Sequence, residues 1–410
     1  MNFQTKKIAF KIPILVFLLL GFLVSFYRGS NFSDGDSFSI ILAYLDYIDF
    51  GKYNASRGAY GHPIPEFIIG FFSYNFGTPF SNIICFTFFF GSIYIIFKTF
   101  IKKDIYNLLL FYSLILSNYL LFIENTNSID YPIAIFFFSL GLFFLKKSNF
   151  FLCSIFFGFA IASRANFVVF IYPSIIIFLY QDNLNFSMVI KIIKIFVLTS
   201  FFGIIFYFPV FHTNDYSLSF IKIPFLTESD SPGWYGGPSL EMKALIPRFV
   251  YKIYKMLGVF SVFVFIYLFF FKFKKLFSFR QNDNRIFYLI SILNLSLFYF
   301  MPVKTLLINP FIIFTYVLIF HNFEKKIIYL LIFFNLLQWF ISYSILDIKY
   351  KNQEICFAKE AISAKIILNV EKGDFINYVL NNKNYSECYS QYMRKYSYEF
   401  KKNLPLRLSN

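Results

Sequence analysis

The stretch IPILVFLLLGFLVSFY, residues 12–27, decides the fold, because it carries no charged side chain and is nearly long enough to cross a bilayer. Three basic residues, Lys6, Lys7 and Lys11, precede it. No small-residue cleavage site follows it, which is not the pattern of a removed signal peptide. The pattern predicts an uncleaved membrane anchor whose N-terminus lies in the cytoplasm.

The whole chain has the composition of a membrane protein. Of its 410 residues, 58% are hydrophobic and only 15% are charged, and the mean hydropathy is +0.61. Apolar runs recur along the chain, and backbone amides in lipid must be hydrogen-bonded within each segment. We therefore predict an all-α integral membrane protein, a polytopic bundle of about 11 transmembrane helices.

The boundaries of the spans are predicted to within a few residues. Two runs are short for a complete crossing, so each either crosses a thinned region of the bilayer or is an incomplete span. These two runs are residues 131–145 and 150–163. The predicted spans are residues 12–27, 80–97, 105–123, 131–145, 150–163, 166–180, 190–210, 256–271, 286–301, 305–320 and 327–346.

The basic residues set the predicted topology. The formal net charge is +16, and basic clusters fall at every second connection, as the positive-inside rule requires. With an odd number of spans, the C-terminus lies outside the cytoplasm. Residues 1–346 then form the transmembrane domain, with a first outer loop at 28–79, and residues 347–410 form a small extracytoplasmic segment. The clusters are Lys98/Lys102/Lys103, Lys146/Lys147, Lys191/Lys194, Lys272/Lys274/Lys275/Arg280/Arg285 and Lys325/Lys326.

The four cysteines leave the redox chemistry open. Cys356 and Cys388 lie in the C-terminal segment, where they pair if the compartment is oxidising and otherwise stay free. Cys85 and Cys153 lie inside predicted spans. The sequence has no CxxC motif and no clustered histidines, so a zinc or iron site is not expected.

Three polar connections face the same predicted outer side. They hold most of the charged residues that do not belong to the basic clusters listed above. In the first, the stretch Phe38–Phe50 has apolar positions at helical spacing, which predicts a helix lying on the interface. A second short amphipathic helix is predicted after Pro65. The functional candidates in this loop are Asp34, Asp36, Arg57, His62 and Glu66.

The other two outer connections contribute further polar residues. The second, Glu124 to Asp130, is short, whereas the third runs from Phe211 to Lys255 around the sequence SPGWYGGP at 231–238. Glycine and proline there predict a mobile loop. Its Trp234 and Tyr235 either stack on a sugar face or anchor the loop at the interface; both interpretations are open.

Several short motifs follow one another along the predicted loops and span ends. They are Asp34-Gly35-Asp36, then Ala43, then Gly51-Lys52-Tyr53, then Ser56-Arg57-Gly58 leading into Gly61-His62-Pro63-Ile64-Pro65-Glu66, then Asp130-Tyr131-Pro132, the run Gly158 to Arg164 ending in Ala162-Ser163-Arg164, and Pro302-Val303-Lys304 with Pro310. In this order they resemble the GT-C superfamily of membrane glycosyltransferases, which use polyprenyl-phosphate-linked sugars. The chain departs from that pattern at Leu306-Leu307, where an aromatic residue is often expected. The resemblance covers roughly residues 12–346.

The resemblance implies an inverting glycosyltransferase that moves one sugar from a polyprenyl-phosphate carrier to an extracytoplasmic glycan or lipid. Such transfer needs a base for the acceptor hydroxyl and cations for the departing phosphate. Asp36 is the expected base, and Asp34 either assists it or shares Mg²⁺ or Mn²⁺ with it. An ordinary Asp-Gly-Asp turn is the competing interpretation.

The remaining candidates are expected to bind substrate. The cations Arg57, Arg164, Arg248 and Lys304 are candidate phosphate contacts, although an arginine or lysine near a span end also snorkels to the interface. His62 is a candidate phosphate or acceptor contact. Glu66 and Asp130 each sit at a predicted helix start, where the helix dipole alone favours a carboxylate.

Two other classes of membrane protein stay open from the sequence: a polysaccharide polymerase, and a flippase or transporter of lipid-linked glycans. Transporters usually carry charge at the bilayer midplane within repeated halves, and no repeat is evident. No glycine-rich phosphate loop indicates a nucleotide-sugar enzyme, and nothing indicates a nucleic-acid partner. The abundance of Phe, Ile, Lys and Asn, which AT-rich codons favour, points to a bacterial inner membrane.

Overall fold

The computed structural model describes residues 11–31, 40, 43–44, 47, 53, 61–76, 78–101, 104–179, 186–213, 242–267, 270, 282–300 and 305–339. All the regular secondary structure in these ranges is helical. The predicted all-α class is therefore confirmed for this part of the chain. The segment 347–410 lies outside the described residues, as do residues 32–39 and most of 41–60 in the first outer loop.

The described residues include fourteen helices, α1 to α14 in chain order. Two short 3₁₀ turns, Ala165–Phe167 and Thr305–Ile308, precede α8 and α13. The helices are α1 Lys11–Asn31, α2 Pro63–Phe76, α3 Thr78–Phe100, α4 Ile105–Leu116, α5 Tyr119–Glu124, α6 Asp130–Lys146, α7 Phe150–Ser163, α8 Val168–Leu179, α9 Phe186–Phe206, α10 Phe208–Thr213, α11 Met242–Ile266, α12 Asn282–Phe300, α13 Asn309–Asn322 and α14, residues 325–339.

Within the described residues, two helices are long and apolar enough to cross a bilayer, namely Pro79–Phe100 in α3 and the whole of α9. The two differ in burial: only 17% of the most apolar stretch of α9 packs inside the protein. The exposed side chains of α9 recur every fourth residue, as at Val189, Ile193 and Val197. An apolar face of this length suits contact with lipid rather than with water.

A tight hairpin joins α6 to α7. Ser148 has a φ of 57°, and the amide of Asn149 donates to Phe144 O while that of Ser148 donates to Leu145 O, both at 3.0 Å. This is the Schellman arrangement that satisfies the last carbonyls of a helix. The side chain of Asn149 then caps α7 by accepting from Leu152 N at 3.2 Å. The two helices consequently pack along their lengths.

The predicted continuous span 105–123 is wrong in one respect, because the helix is interrupted at Ser117 and Asn118. The Asn118 side chain accepts from Leu121 N at 2.9 Å and so starts α5. Short polar side chains that bond to nearby backbone groups favour helix ends over helix interiors. The pair Ser-Asn is the signal for this break in the sequence.

A buried polar network surrounds that break. Asn335 of α14 donates to Ser117 Oγ at 3.0 Å and to Tyr316 Oη at 3.1 Å, and it accepts from Ser261 Oγ at 3.2 Å. Asn118 Nδ2 also donates to Tyr316 Oη, at 3.3 Å. The network joins α11, α13 and α14 to the α4–α5 junction, where apolar packing alone would not fix the register of the helices.

Five helix ends meet around Phe100, at what we name the lysine end of the bundle. Lys146 Nζ lies 4.8 Å from the Phe100 ring centroid, and His321 Nε2 lies 3.1 Å from Phe100 O. Lys325 Nζ lies 4.3 Å from the Tyr106 ring centroid. Helices α3, α6 and α13 therefore finish at this end, and α4 and α14 begin there.

The opposite end, which we name the polar end, is held by buried hydrogen bonds. Arg28, in the last turn of α1, donates from Nη1 to Ile123 O at 2.6 Å. Ser73 Oγ donates to Ser81 Oγ at 2.8 Å, and Ser81 Oγ lies 2.5 Å from Ser128 Oγ. The end of α1, the start of α3 and the connection before α6 therefore lie together.

Part of the first outer loop packs on this end. Of the predicted interfacial helix Phe38–Phe50, the described residues Ile40, Ala43, Tyr44 and Tyr47 are helical. Ile40 is fully buried in a cluster with residues of α2, α3 and α6, namely Ile69, Cys85 and Ile133. The apolar face of these loop residues thus packs against protein, whereas the sequence alone suggested the membrane interface.

We expect Asn335→Leu to lower the free energy of unfolding by about 2 kcal/mol, because Ser117, Tyr316 and Ser261 each lose a buried partner. Asn322→Leu is the matched control, since the Asn322 amide donates only within α13, to Leu318 O at 2.8 Å. Unfolding in detergent micelles measures both. Equal losses in the two variants would show that the network does not hold the helices together.

Candidate functional site

A buried ion pair links the start of α6 to the end of α7. Asp130 lies in the first turn of α6, where the helix dipole favours a carboxylate. Arg164 follows α7 with extended backbone, φ −160° and ψ 109°, and its Nη1 donates to Asp130 Oδ2. The Asp130 side chain is fully buried, and that of Arg164 is 13% exposed. The guanidinium also lies 4.1 Å from the Tyr131 ring centroid, a favourable cation–π distance.

His62 completes a three-residue cluster. Its Nε2 lies 3.3 Å from Asp130 Oδ2 and 3.5 Å from Arg164 Nη1. Gly61, with a φ of 57°, makes the left-handed turn that brings the chain from the first outer loop into α2. One oxygen of Asp130 therefore lies between an imidazole and a guanidinium. We name Asp130, Arg164 and His62 the polar-end cluster.

The cluster explains how charge is tolerated here. A buried arginine needs an anion nearby, and in this structure Asp130 supplies it. A carboxylate that accepts from two nitrogen groups fixes the orientation of both. When Nε2 of His62 carries its proton, that nitrogen donates to Asp130 and Nδ1 is the acceptor nitrogen. The arrangement therefore offers oriented imidazole and guanidinium groups at the end of the bundle.

Glu66 lies one turn further along α2 and has its own partner. Its carboxylate is 1% exposed and accepts from the hydroxyl of Tyr53. Its backbone amide donates to His62 O at 3.0 Å. The Tyr53 ring stacks parallel to Phe67, with 6.5 Å between centroids. Tyr53 belongs to one of the short motifs quoted above but was not selected as a functional residue, because its partner Glu66 is evident only from the packing.

Residues from the three connections that the sequence predicts to face outward meet in this region. Tyr53, from the first loop, is buried against Val210 and Phe211, where the third loop begins. His62 contacts Asp130, where the second connection ends. Three of the residues selected from sequence, His62, Asp130 and Arg164, are thus in mutual contact, and Glu66 is next to them. Their roles toward a substrate stay predictions.

Other selected residues lie outside the described part of the chain. Arg248 lies in α11, but its side chain is not described. Among the described His, Cys, Asp and Glu residues, no group of three or more could hold a metal ion. Cys85 and Cys153 are buried free thiols. The candidates outside the described residues are Asp34, Asp36, Arg57, Trp234, Tyr235, Lys304, Cys356 and Cys388.

No protein-family model, no curated protein and no solved structure matches this chain. The resemblance to the GT-C superfamily therefore stays an expectation that rests on the motifs quoted above. What the chain can do must be inferred from its own residues.

We expect Asp130→Asn and Arg164→Gln each to lower the free energy of unfolding by about 3 kcal/mol, because each leaves a buried charge without its partner. The double variant should lose less than the sum of the two, since neither charge then remains. Unfolding of the four proteins in detergent measures this coupling.

Asp104→Asn is the matched control for removal of a carboxylate. Asp104 is an exposed N-cap of α4, where Asn caps equally well, so little change is expected. Strictly additive losses from Asp130→Asn and Arg164→Gln would contradict the coupling.

Proposed function

We propose that this chain is an integral-membrane, inverting glycosyltransferase that moves a sugar from a polyprenyl-phosphate carrier to an extracytoplasmic glycan or lipid. The observation that carries the proposal is the polar-end cluster. It places a buried carboxylate, a guanidinium and an imidazole within 3.5 Å of one another where three outer connections meet. A lipid-linked phosphate would reach such a site from the headgroup level of the membrane.

The membrane placement is supported by the two ends of the bundle. Lys146 and Lys325 lie together at the lysine end, as expected for the cytoplasmic side. The exposed apolar face of α9 would lie in lipid. We propose that about 11 helices span the bilayer, with the N-terminus in the cytoplasm and the C-terminus outside it, in a bacterial inner membrane.

In the proposed reaction the acceptor hydroxyl oxygen attacks the anomeric carbon of the sugar. The bond from that carbon to the phosphate oxygen breaks, the hydroxyl proton passes to a base, and the phosphate leaves as an anion with the bonding pair. We assign the base to Asp36, with Asp34 assisting or sharing Mg²⁺ or Mn²⁺ with it. Inversion follows from a single displacement.

The chain length between Asp36 and Ile40 supports this assignment. They are four positions apart in the sequence, so a fully extended chain between them spans at most about 14 Å. Ile40 packs with Ile133, which lies one turn beyond Asp130. The short connection to Ile40 is therefore compatible with a role for Asp36 beside the polar-end cluster.

Arg164 and His62 are proposed to hold the departing phosphate. A guanidinium has five N–H donors, so a single arginine can bind a carboxylate and a phosphate through different groups. Arg57, Arg248 and Lys304 are proposed as further cations, Glu66 and Asp130 as supports of the site, and Trp234 and Tyr235 as a stacking surface for the sugar. Charge at helix ends, as at Asp130, favours a transferase over a transporter with midplane charges.

We expect Asp36→Asn to lower kcat for transfer from radiolabelled polyprenyl-phosphate sugars at least about 100-fold, because the base is removed. Asp34→Asn should lower it less, and if a metal is shared, EDTA should abolish turnover and Mg²⁺ or Mn²⁺ should restore it. Asp104→Asn, at the lysine end, should keep full activity. Full turnover by both folded Asp36 and Asp34 variants would rule out this base assignment.

Reporter fusions test which side of the membrane each end faces. A periplasmically active reporter placed after Tyr27 should be active, and the same reporter placed after Lys147 should be inactive, because the two sites lie at opposite ends of the bundle. A cytoplasmic result after Tyr27 would contradict the use of a lipid-linked donor outside the cytoplasm.

A further inference from the structure

Two buried asparagines, one in α12 and one at the first position of α13, are in opposite situations. Asn294 of α12 uses both ends of its amide: Nδ2 donates to Leu307 O at 2.8 Å, and Oδ1 accepts from Phe311 N at 2.9 Å. It therefore ties the 3₁₀ turn Thr305–Ile308 to α12. Asn309, the first residue of the 14-residue helix α13, is the other asparagine.

The Asn309 side chain is fully buried, with an exposed fraction of 0%. Within the part of the chain that the structure describes, neither its Oδ1 nor its Nδ2 has a hydrogen-bond partner. A buried amide in this state is less favourable than one that is hydrogen-bonded. An apolar residue of similar shape would stabilise the bundle better, so the buried amide suits a ligand that can donate to it and accept from it.

Asn309 lies near the depth of the polar-end cluster. Helices α6 and α13 run in the same direction, since both finish beside Phe100. They meet where Phe138 and Phe314 lie 5.8 Å apart between ring centroids. Asp130 precedes Phe138 by about 12 Å along α6, and Asn309 precedes Phe314 by about 7.5 Å along α13. The two residues therefore differ in depth by about one helical turn.

Two more buried polar atoms flank Arg164. Ser163 Oγ and Asn166 Oδ1 also lack hydrogen-bond partners among the described residues. Phe167, next to Asn166, packs on Phe138 with 5.5 Å between ring centroids. Phe314 of α13 packs on the same Phe138 ring, with 5.8 Å between ring centroids. The segment that carries Arg164 and helix α13 therefore both contact one residue of α6, and each carries buried polar atoms without a partner among the described residues.

We propose that the Asn309 amide, with Ser163 and Asn166, forms the subsite for the sugar ring of the donor. The proposal rests on the proposed glycosyl transfer and names the part of the site that binds the sugar rather than the phosphate. Each sugar hydroxyl both donates and accepts, which matches an amide and a hydroxyl, whereas a phosphate dianion accepts only. Asn309 is closed off in this conformation, so the sugar enters by displacing the turn Thr305–Ile308.

The test compares carriers with and without the sugar. Thermal unfolding of the protein in detergent is measured without ligand, with bare undecaprenyl phosphate, and with a sugar-linked undecaprenyl phosphate. The sugar-linked carrier is the one that the wild-type protein turns over, chosen from the glucosyl, galactosyl, mannosyl and N-acetylglucosaminyl forms. We expect wild-type protein to gain more stability from the sugar-linked carrier than from the bare carrier. Asn309→Leu should lose that difference, keep the response to the bare carrier, and raise KM for the donor at least tenfold.

The unliganded proteins give a second measurement. Asn309→Leu should unfold at a temperature equal to or a few degrees above that of wild type, because the buried amide is gone. Asn309→Ala distinguishes loss of the amide from steric strain caused by leucine, and it should also lose the sugar-dependent difference. Asn294→Leu should unfold at a lower temperature, since it releases Leu307 O and Phe311 N. Asn322→Leu is the neutral control.

Two outcomes would overturn the subsite. The first is a sugar-dependent difference that survives in both Asn309 variants. The second is a loss of stability in both variants that equals the loss in Asn294→Leu, which would show a structural amide satisfied by water. If wild-type protein turns over none of the sugar-linked carriers, that result would instead overturn the glycosyl transfer itself, and the sugar subsite with it.

Discussion

The contact between Arg164 and Asp130 is the constraint on which the polar end depends. Neither side chain is acceptable there alone, because an unpaired charge in a buried or lipid-level position costs several kcal/mol. Together they fix the start of α6 against the end of α7, and they bring His62 and the start of α2 to the same place. The charges that a substrate would meet are therefore set by the packing of helices rather than by the loops above them.

The rest of the bundle shows a second use of buried polarity. Asn118 and Asn335 both donate to the hydroxyl of Tyr316, and these bonds fix the register of helices whose surfaces are otherwise apolar. Lipid offers no hydrophobic driving force between such helices, so directional bonds and close packing select the arrangement. Asn309 lies outside this scheme, because its amide takes part in no bond among the described residues.

Helical class and the approximate positions of most helices could be predicted from apolar runs, and the described residues agree. The break at Ser117 could not be predicted from hydropathy, because a side chain that bonds to backbone decides it. Asp130, Arg164 and His62 could each be selected as unusual charges beside apolar runs. Their mutual contact could not be predicted, since Arg164 and His62 are 102 positions apart and only the packing of α2, α6 and α7 brings them together. Tyr53 could be placed in a short motif, but its contact with Glu66 could not be predicted, because only the packing of the loop against α2 brings the two together.

The hairpin between α6 and α7 has a consequence for biogenesis. Both members of the buried ion pair belong to two helices joined by the turn at Ser148, so the pair can close within one short length of nascent chain. In the membrane placement proposed above, the insertion machinery would receive a helical hairpin whose two charges are already paired, rather than an isolated arginine. The later helices would then pack against this hairpin.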